Sequence, residues 1–147
     1  RCLFINPPDV VGDAVGTMKL FKDWVPRIKA LGYPVSLVLQ DGIENMVIPW
    51  GDIDAVFVGG TTEWKMSQTV IELLLRVGEK RKHRHIGRVN SVSRIMHFWD
   101  FAESFDGTDY VFRPEACAKD YIPKMRARQL QQVFDLDTVD RRGDEGY

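Results

Sequence analysis

The sequence is poor in residues that build metal centres, with two cysteines, Cys2 and Cys117, and three histidines among 147 residues. The cysteines form no CxxC pair, so a Cys-rich zinc site would need ligands from outside the chain. His83 and His85 sit in the basic run Lys80-Arg81-Lys82-His83-Arg84, where solvated side chains are expected, and neither a metal nor a cofactor is expected. Long hydrophobic runs are missing as well. The stretch from Val70 to Leu75 is broken by Glu72, far short of the roughly 20 apolar residues a membrane helix needs. No segment joins a basic start to an apolar stretch and a small-residue cleavage site, so no signal peptide is read. The formal net charge is −1, which gives no global field to draw nucleic acid or an anionic membrane, and any polyanion contact must be local. There is no GxGxxG and no P-loop lysine spacing, which argues against a dinucleotide or Walker-type site.

What remains is an ordinary globular composition, 44% apolar and 28% charged, in about one domain's length of chain. The scarcity of cysteine points to a reducing, cytoplasmic setting. Short apolar runs at 3–6, 35–39, 55–58, 85–89 and 104–105 read as strands. Between them, Met18, Phe21, Trp24, Val25, Ile28 and Leu31 recur at helical steps, with Gly32 as a left-handed cap and Pro26 as a kink or break. Met66, Val70, Leu73, Leu74 and Val77 form a second amphipathic face that ends near Gly78 or in the basic run. Ser91 reads as the N-cap of a helix carrying Val92, Ile95, Met96 and Trp99. Residues 43–51, with Pro49, read as loop or a distorted short helix, and 115–134 as mostly helix interrupted at Pro123. Alternation of this kind predicts an α/β fold of about five parallel β/α units, a partial (β/α)8 barrel of the TIM type or a doubly wound sheet. The expected domain spans 1–134, followed by a charged tail at 135–147. The chain opens on Arg1 and enters a strand-like run at once, so a longer parent is expected.

Each expected strand ends in a small polar or glycine-rich cluster that precedes a helix, and in repeated β/α proteins such junctions share one rim. Asp9, behind Pro7 and Pro8, reads as a ligand residue; Asp13 reads either as an N-cap or as a ligand. Gln40 offers a donor and an acceptor suited to a planar heterocycle, while Asp41-Gly42 reads as a plain turn pair. Gly59 and Gly60 either admit a close ligand or simply turn the chain, and Glu63 closes their cluster. Arg88 and Asn90 flank Val89 and are expected on one side of the fourth strand, as ligands or as a salt bridge and a turn residue. Asp106, ahead of Gly107, is the leading catalytic candidate, as a nucleophile in glycosyl transfer or a base, with a turn aspartate as the alternative.

Taken in order, "PPDVVGDA", "LQDG", "VGGTTEWK", "IGRVNS" and "SFDGT" resemble the tRNA-guanine transglycosylase (queuine tRNA-ribosyltransferase) family, closest to its divergent phage and actinobacterial branch for 7-deazaguanine bases. The resemblance runs from about Leu3 to Thr108 and implies a (β/α)8 barrel that exchanges guanine for a 7-deazaguanine base in tRNA or DNA. It implies that Asp106 attacks C1′ of the ribose and forms a covalent intermediate. Asp9 would hold the amino-pyrimidine edge of the base, and Gln40 with the backbone at Gly59 and Gly60 its carbonyl side. Asp13, Glu63, Arg88 and Asn90 complete the substrate-binding set. Partners are then nucleic acid and a purine or 7-deazaguanine base, in the cytoplasm (the host's if phage-encoded), with a homo-oligomer or a missing N-terminal segment covering the open barrel. Glu103 stands where related sequences often carry glycine, and the zinc cluster of typical members is missing. The other readings are a non-catalytic base- or nucleotide-binding partial barrel, and a barrel hydrolase acting on a small sugar.

Overall fold

A computed structural model describes residues 2–107. The expected helix over 115–134, the break at Pro123 and the charged tail lie outside the described residues. Among the described residues two compact units are distinguished, one of residues up to Gly87 together with Phe101–Ser104, the other of Arg88–Asp100 with Phe105, Asp106 and Gly107.

The fold is α/β, with a four-stranded parallel sheet in sequential order β1 (Ser36–Leu39), β2 (Ala55–Val58), β3 (His83–Ile86) and β4 (Ser104–Phe105). In-register pairs run from Ser36↔Ala55 to Leu39↔Val58 and from Ala55↔His83 to Val58↔Ile86. All four residues of β1 are buried, the continuous burial that parallel strands show when both faces are covered. The expected strand at 3–6 reduces to a single parallel bridge, Ile5↔Val35. Ile5 N–H donates to the Pro34 carbonyl at 2.8 Å and Ser36 N–H to that of Ile5 at 3.0 Å. Pro7 and Pro8 follow at once, and proline has no N–H to extend a ladder.

Helix α1 (Ala14–Ala30) buries Ala14, Thr17, Met18, Phe21, Val25 and Ile28. Its apolar stripe is narrower than the sequence predicts, because Trp24 is 37% and Leu31 72% exposed. The helix runs unbroken through Pro26. Pro26 and Lys22 are both exposed, so water can serve the carbonyl that the proline leaves without a donor. Gly32, at φ +78°, closes the helix as predicted. Its N–H reaches the Lys29 carbonyl at 2.9 Å and Tyr33 N–H that of Ile28 at 3.5 Å, the paired bonds of a Schellman cap.

Residues 43–51 contain two 3-10 turns, Ile43–Asn45 and Trp50–Asp52. The β2–β3 crossover holds a one-turn helix, α2 (Thr62–Lys65), and α3 (Gln68–Glu79). Helix α3 buries Val70, Ile71, Leu73, Leu74 and Val77, each fully buried aliphatic contributing about 1.5–3 kcal/mol. In the second unit, Ser91 caps α4 (Val92–Phe98) by accepting from Arg94 N–H at 3.3 Å, and Ile95, Met96 and Phe98 are buried.

Strand β3 begins at His83, earlier than the expected 85–89, and the reason is electrostatic. Arg84 donates from Nη2 to Glu103 Oε1 at 2.6 Å and from its backbone N–H to Oε2 at 2.7 Å. Glu103 N–H returns a bond to the Arg84 carbonyl at 2.9 Å. Burial alone would raise the Glu103 pKa, but hydrogen bonds and charge from Arg84, with a smaller pull from His83, hold it below its ordinary value. A depressed folded-state pKa gives stability that is present above the unfolded carboxylate's pKa and is lost as pH falls through the folded value. Because the Glu103 side chain is 43% exposed, the pair is worth only about 1 kcal/mol. Glu103→Gln is expected to lower urea-unfolding stability by that amount at pH 7, and the difference should shrink as pH falls through the folded carboxylate's lowered pKa. A constant difference across that range would mean the carboxylate charge is not the cause.

Candidate functional site

Gln40 leaves β1 with its side chain 1% exposed. Its Nε2 donates to Asp9 Oδ2 at 2.6 Å and its Oε1 accepts from Gly12 N–H at 3.0 Å. The amide therefore fastens the 7–13 loop to the sheet. Thr17 closes the same loop from α1, accepting from Val10 N–H at 3.0 Å and donating to its carbonyl at 3.1 Å. Asp13 caps α1, its Oδ1 accepting from Gly16 N–H at 2.9 Å. Gly59 is where the Gln40 amide passes, and a Cβ there would lie 3.1 Å from Nε2.

Asp41 is no plain turn residue. Its Oδ1 accepts from Thr61 N–H at 2.8 Å and its Oδ2 from the Thr61 hydroxyl at 2.6 Å. Burial pushes the Asp41 pKa up, but the two bonds from Thr61 outweigh this and hold it below the usual carboxylate value. Thr61 in turn caps α2, accepting from Trp64 N–H at 3.3 Å, and Trp64 Nε1 donates to Glu44 Oε2 at 3.2 Å. Gly60 sits inside this brace at φ +77°. Asp41, Thr61, Glu63, Trp64, Ser67 and Thr69 line an open cleft of ≈ 330 Å³. Two carboxylates and an indole give it an acidic, partly aromatic wall, suited to a flat ligand rich in N–H donors and unsuited to phosphate. Lys65 is 4% exposed, and its Nζ donates to the Gly87 carbonyl at the exit of β3.

In the second unit, Arg88 has φ +52°, a left-handed conformation that ends the strand alternation. The expectation that Arg88 and Asn90 share a strand face therefore does not hold, since β3 stops at Ile86. The Arg88 backbone N–H donates to Asp106 Oδ1 at 2.8 Å, and Val89 N–H to the Asp106 carbonyl at 2.7 Å. Asp106 follows β4 and is half-buried, while Arg88 and Asn90 are exposed.

Among the expected residues, the structure joins Asp9 to Gln40, packs Gly59 against Gln40, and joins Arg88 to Asp106 through a main-chain bond. Glu63 belongs to the Trp64 cleft. The sequence reading missed Asp41, Thr17, Trp64 and Lys65. A pointer to Asp41 was present in its place beside Gln40 at a strand exit; nothing local marked Lys65. Among the described residues no helix is long and apolar enough to cross a membrane. Compared with protein-family models, with curated proteins and with solved structures, the chain has no match.

Proposed function

We propose that the chain carries the base-exchange site of a transglycosylase-like enzyme on part of a (β/α)8 barrel. The reaction replaces guanine by a 7-deazaguanine base in tRNA or DNA in the cytoplasm. The observation that carries this reading is the sequential, all-parallel order β1-β2-β3-β4. Right-handed crossovers joining neighbouring strands in one direction keep their helices on one face of the sheet, as in a barrel. A doubly wound sheet instead reverses its strand order at the ligand site. The parallel strands β1, β2 and β3 are followed directly by Gln40, Gly59 and Gly87, and β4 by Asp106, all positions of the resemblance.

In this mechanism an Asp106 carboxylate oxygen forms a bond to C1′ as the bond from C1′ to guanine breaks. The leaving base takes the bonding electrons and then a proton. The incoming base gives up its N–H proton as it attacks the same carbon and displaces the carboxylate, which offsets the proton taken by the leaving base, so one difficult substitution becomes two easier ones. Asp9, Asp13, Gln40, Gly59, Gly60, Glu63, Arg88 and Asn90 are assigned to binding the base and its nucleoside. The test is a covalent adduct between the full-length protein and a polynucleotide, trapped with the native residue and absent in Asp106→Asn. Adduct formation at another residue would overturn the assignment.

A second reading, a non-catalytic base- or nucleotide-binding partial barrel completed by a partner chain or further segment, is favoured by the Gln40 amide. Its oxygen and nitrogen are bonded to Gly12 and Asp9, so it serves the loop as well as any ligand. Base binding without exchange by the full-length protein would select this reading.

A further inference from the structure

Two successive backbone N–H groups converge on residue 106. Arg88 N–H donates to Asp106 Oδ1 at 2.8 Å, and Val89 N–H to the Asp106 carbonyl at 2.7 Å. Successive N–H groups of an extended strand point to opposite edges, whereas a left-handed residue can turn its neighbour's N–H to the same side as its own. Arg88 is that residue, at φ +52°. A non-glycine residue is strained there, and such strain persists only where the surroundings fix it, most often at functional sites.

The surroundings that fix it are Val89 and Gly107. Val89 is 1% exposed, so the turn is packed against the interior. Gly107 is buried and lies directly against Val89. An added Cβ would overlap the Val89 carbonyl oxygen and stand 2.9 Å from its carbon. The φ of Gly107 is outside the left-handed region, so space and not backbone conformation requires glycine there. On the other flank, the Phe105 ring lies within 4° of parallel to that of Trp99, with centroids 6.4 Å apart, inside the range of an offset stack. Residue 106 is thus held through its side chain, its carbonyl and both of its chain neighbours.

We propose that the 88–89 turn and Gly107 form a clasp that positions the Asp106 carboxylate for attack. The inference rests on the reading of Asp106 as the nucleophile. Gly107, and Arg88 through its backbone, are then positioning residues. The terminal torsion of an aspartate is broad, and the bond from Arg88 to one carboxylate oxygen narrows it. The bond from Val89 fixes the backbone that carries the side chain. A nucleophile gains from such fixing, since a misplacement of about 1 Å can cost on the order of 100-fold in rate. Arg88 therefore has two separable parts, a guanidinium assigned to binding and a backbone N–H that holds the reactive group.

The experiment follows covalent adduct formation between the full-length protein and a saturating guanine-containing polynucleotide, reading both the rate and the final amount. The final amount counts competent sites, and the rate reports how well each is aligned. Arg88→Asn and Arg88→Val both remove the guanidinium, but asparagine tolerates the left-handed region and a β-branched residue does not. Arg88→Val is expected to form adduct about 10–100-fold more slowly than Arg88→Asn, and to the same final amount. Gly107→Ala should likewise be about 100-fold slower than the native chain. Amide hydrogen exchange at Arg88 and Val89 reads the clasp without any chemistry. Both amides should exchange slowly in the native protein and in Arg88→Asn, and at least about tenfold faster in Arg88→Val and Gly107→Ala. The pair at position 88 decides by itself if Gly107→Ala does not fold. Equal adduct rates for Arg88→Val and Arg88→Asn, or a reduced final amount reached at an undiminished rate, would overturn the clasp and leave the nucleophile in place. A native protein that forms no adduct at Asp106 removes the nucleophile reading, and the positioning role with it.

Discussion

Asp106→Asn in the full-length protein is expected to lower base exchange by on the order of 10⁴-fold or more, the scale seen when a nucleophile is removed from a covalent mechanism. The amide nearly matches the carboxylate in size, but it has no charged oxygen to form the bond to C1′. Fold stability should change little. One bond to the Asp106 side chain comes from the Arg88 backbone N–H at 2.8 Å, and the asparagine oxygen can accept it. A charge-assisted bond is roughly twice as strong as a neutral one, so about 1 kcal/mol is the expected loss. Binding of the free base should persist, since its recognition is assigned to other residues. Exchange assays, unfolding curves and base titrations on one protein preparation separate these effects. Undiminished exchange by the asparagine variant would remove the central proposal. Loss of exchange together with more than about 3 kcal/mol of stability would mark Asp106 as a structural anchor of the 88–89 turn.

How far the sequence reveals this structure depends on how far apart the interacting residues are. Strand β2 has the expected limits, Ala55–Val58, and the Gly32 and Ser91 caps hold because each cap is formed within a few residues of its helix end. The face of α3 is legible for the same reason. What escapes is paired across long separations. The basic run looked like solvated helix end, yet Arg84 meets a carboxylate 19 residues later, and that partner turns a charged stretch into strand. Asp41 looked like a turn residue until Thr61, 20 residues on, supplied two donors. Gln40 was read as a recognition amide, but its partner Asp9 is 31 residues away and is itself an expected ligand residue. The strand exits were therefore legible as places, while the hydrogen bonds made there were not.

Gly60 allows the rigidity of one exit to be measured. Gly60→Ala faces two costs, the first of backbone. At φ +77° an alanine occupies the left-handed region at about 1–2 kcal/mol. The second is steric. An added Cβ would lie 2.6 Å from Trp64 Cε3 and 2.7 Å from Asp41 Oδ1, and neither neighbour is free to swing. Trp64 is tied to Glu44 through Nε1, and Asp41 is tied twice to Thr61. Forcing such a pair apart costs roughly 1–3 kcal/mol. Gly32 provides the control, with φ +78° and nothing within 4 Å of an added Cβ, so Gly32→Ala should cost the backbone part alone. Urea unfolding is expected to place Gly60→Ala about 1–3 kcal/mol below Gly32→Ala. Ligand binding in the Trp64 cleft should fall for Gly60→Ala and hold for Gly32→Ala. Equal destabilisation by the two substitutions would show that Asp41 and Trp64 move aside easily, and that the brace around Gly60 does not hold the cleft in shape.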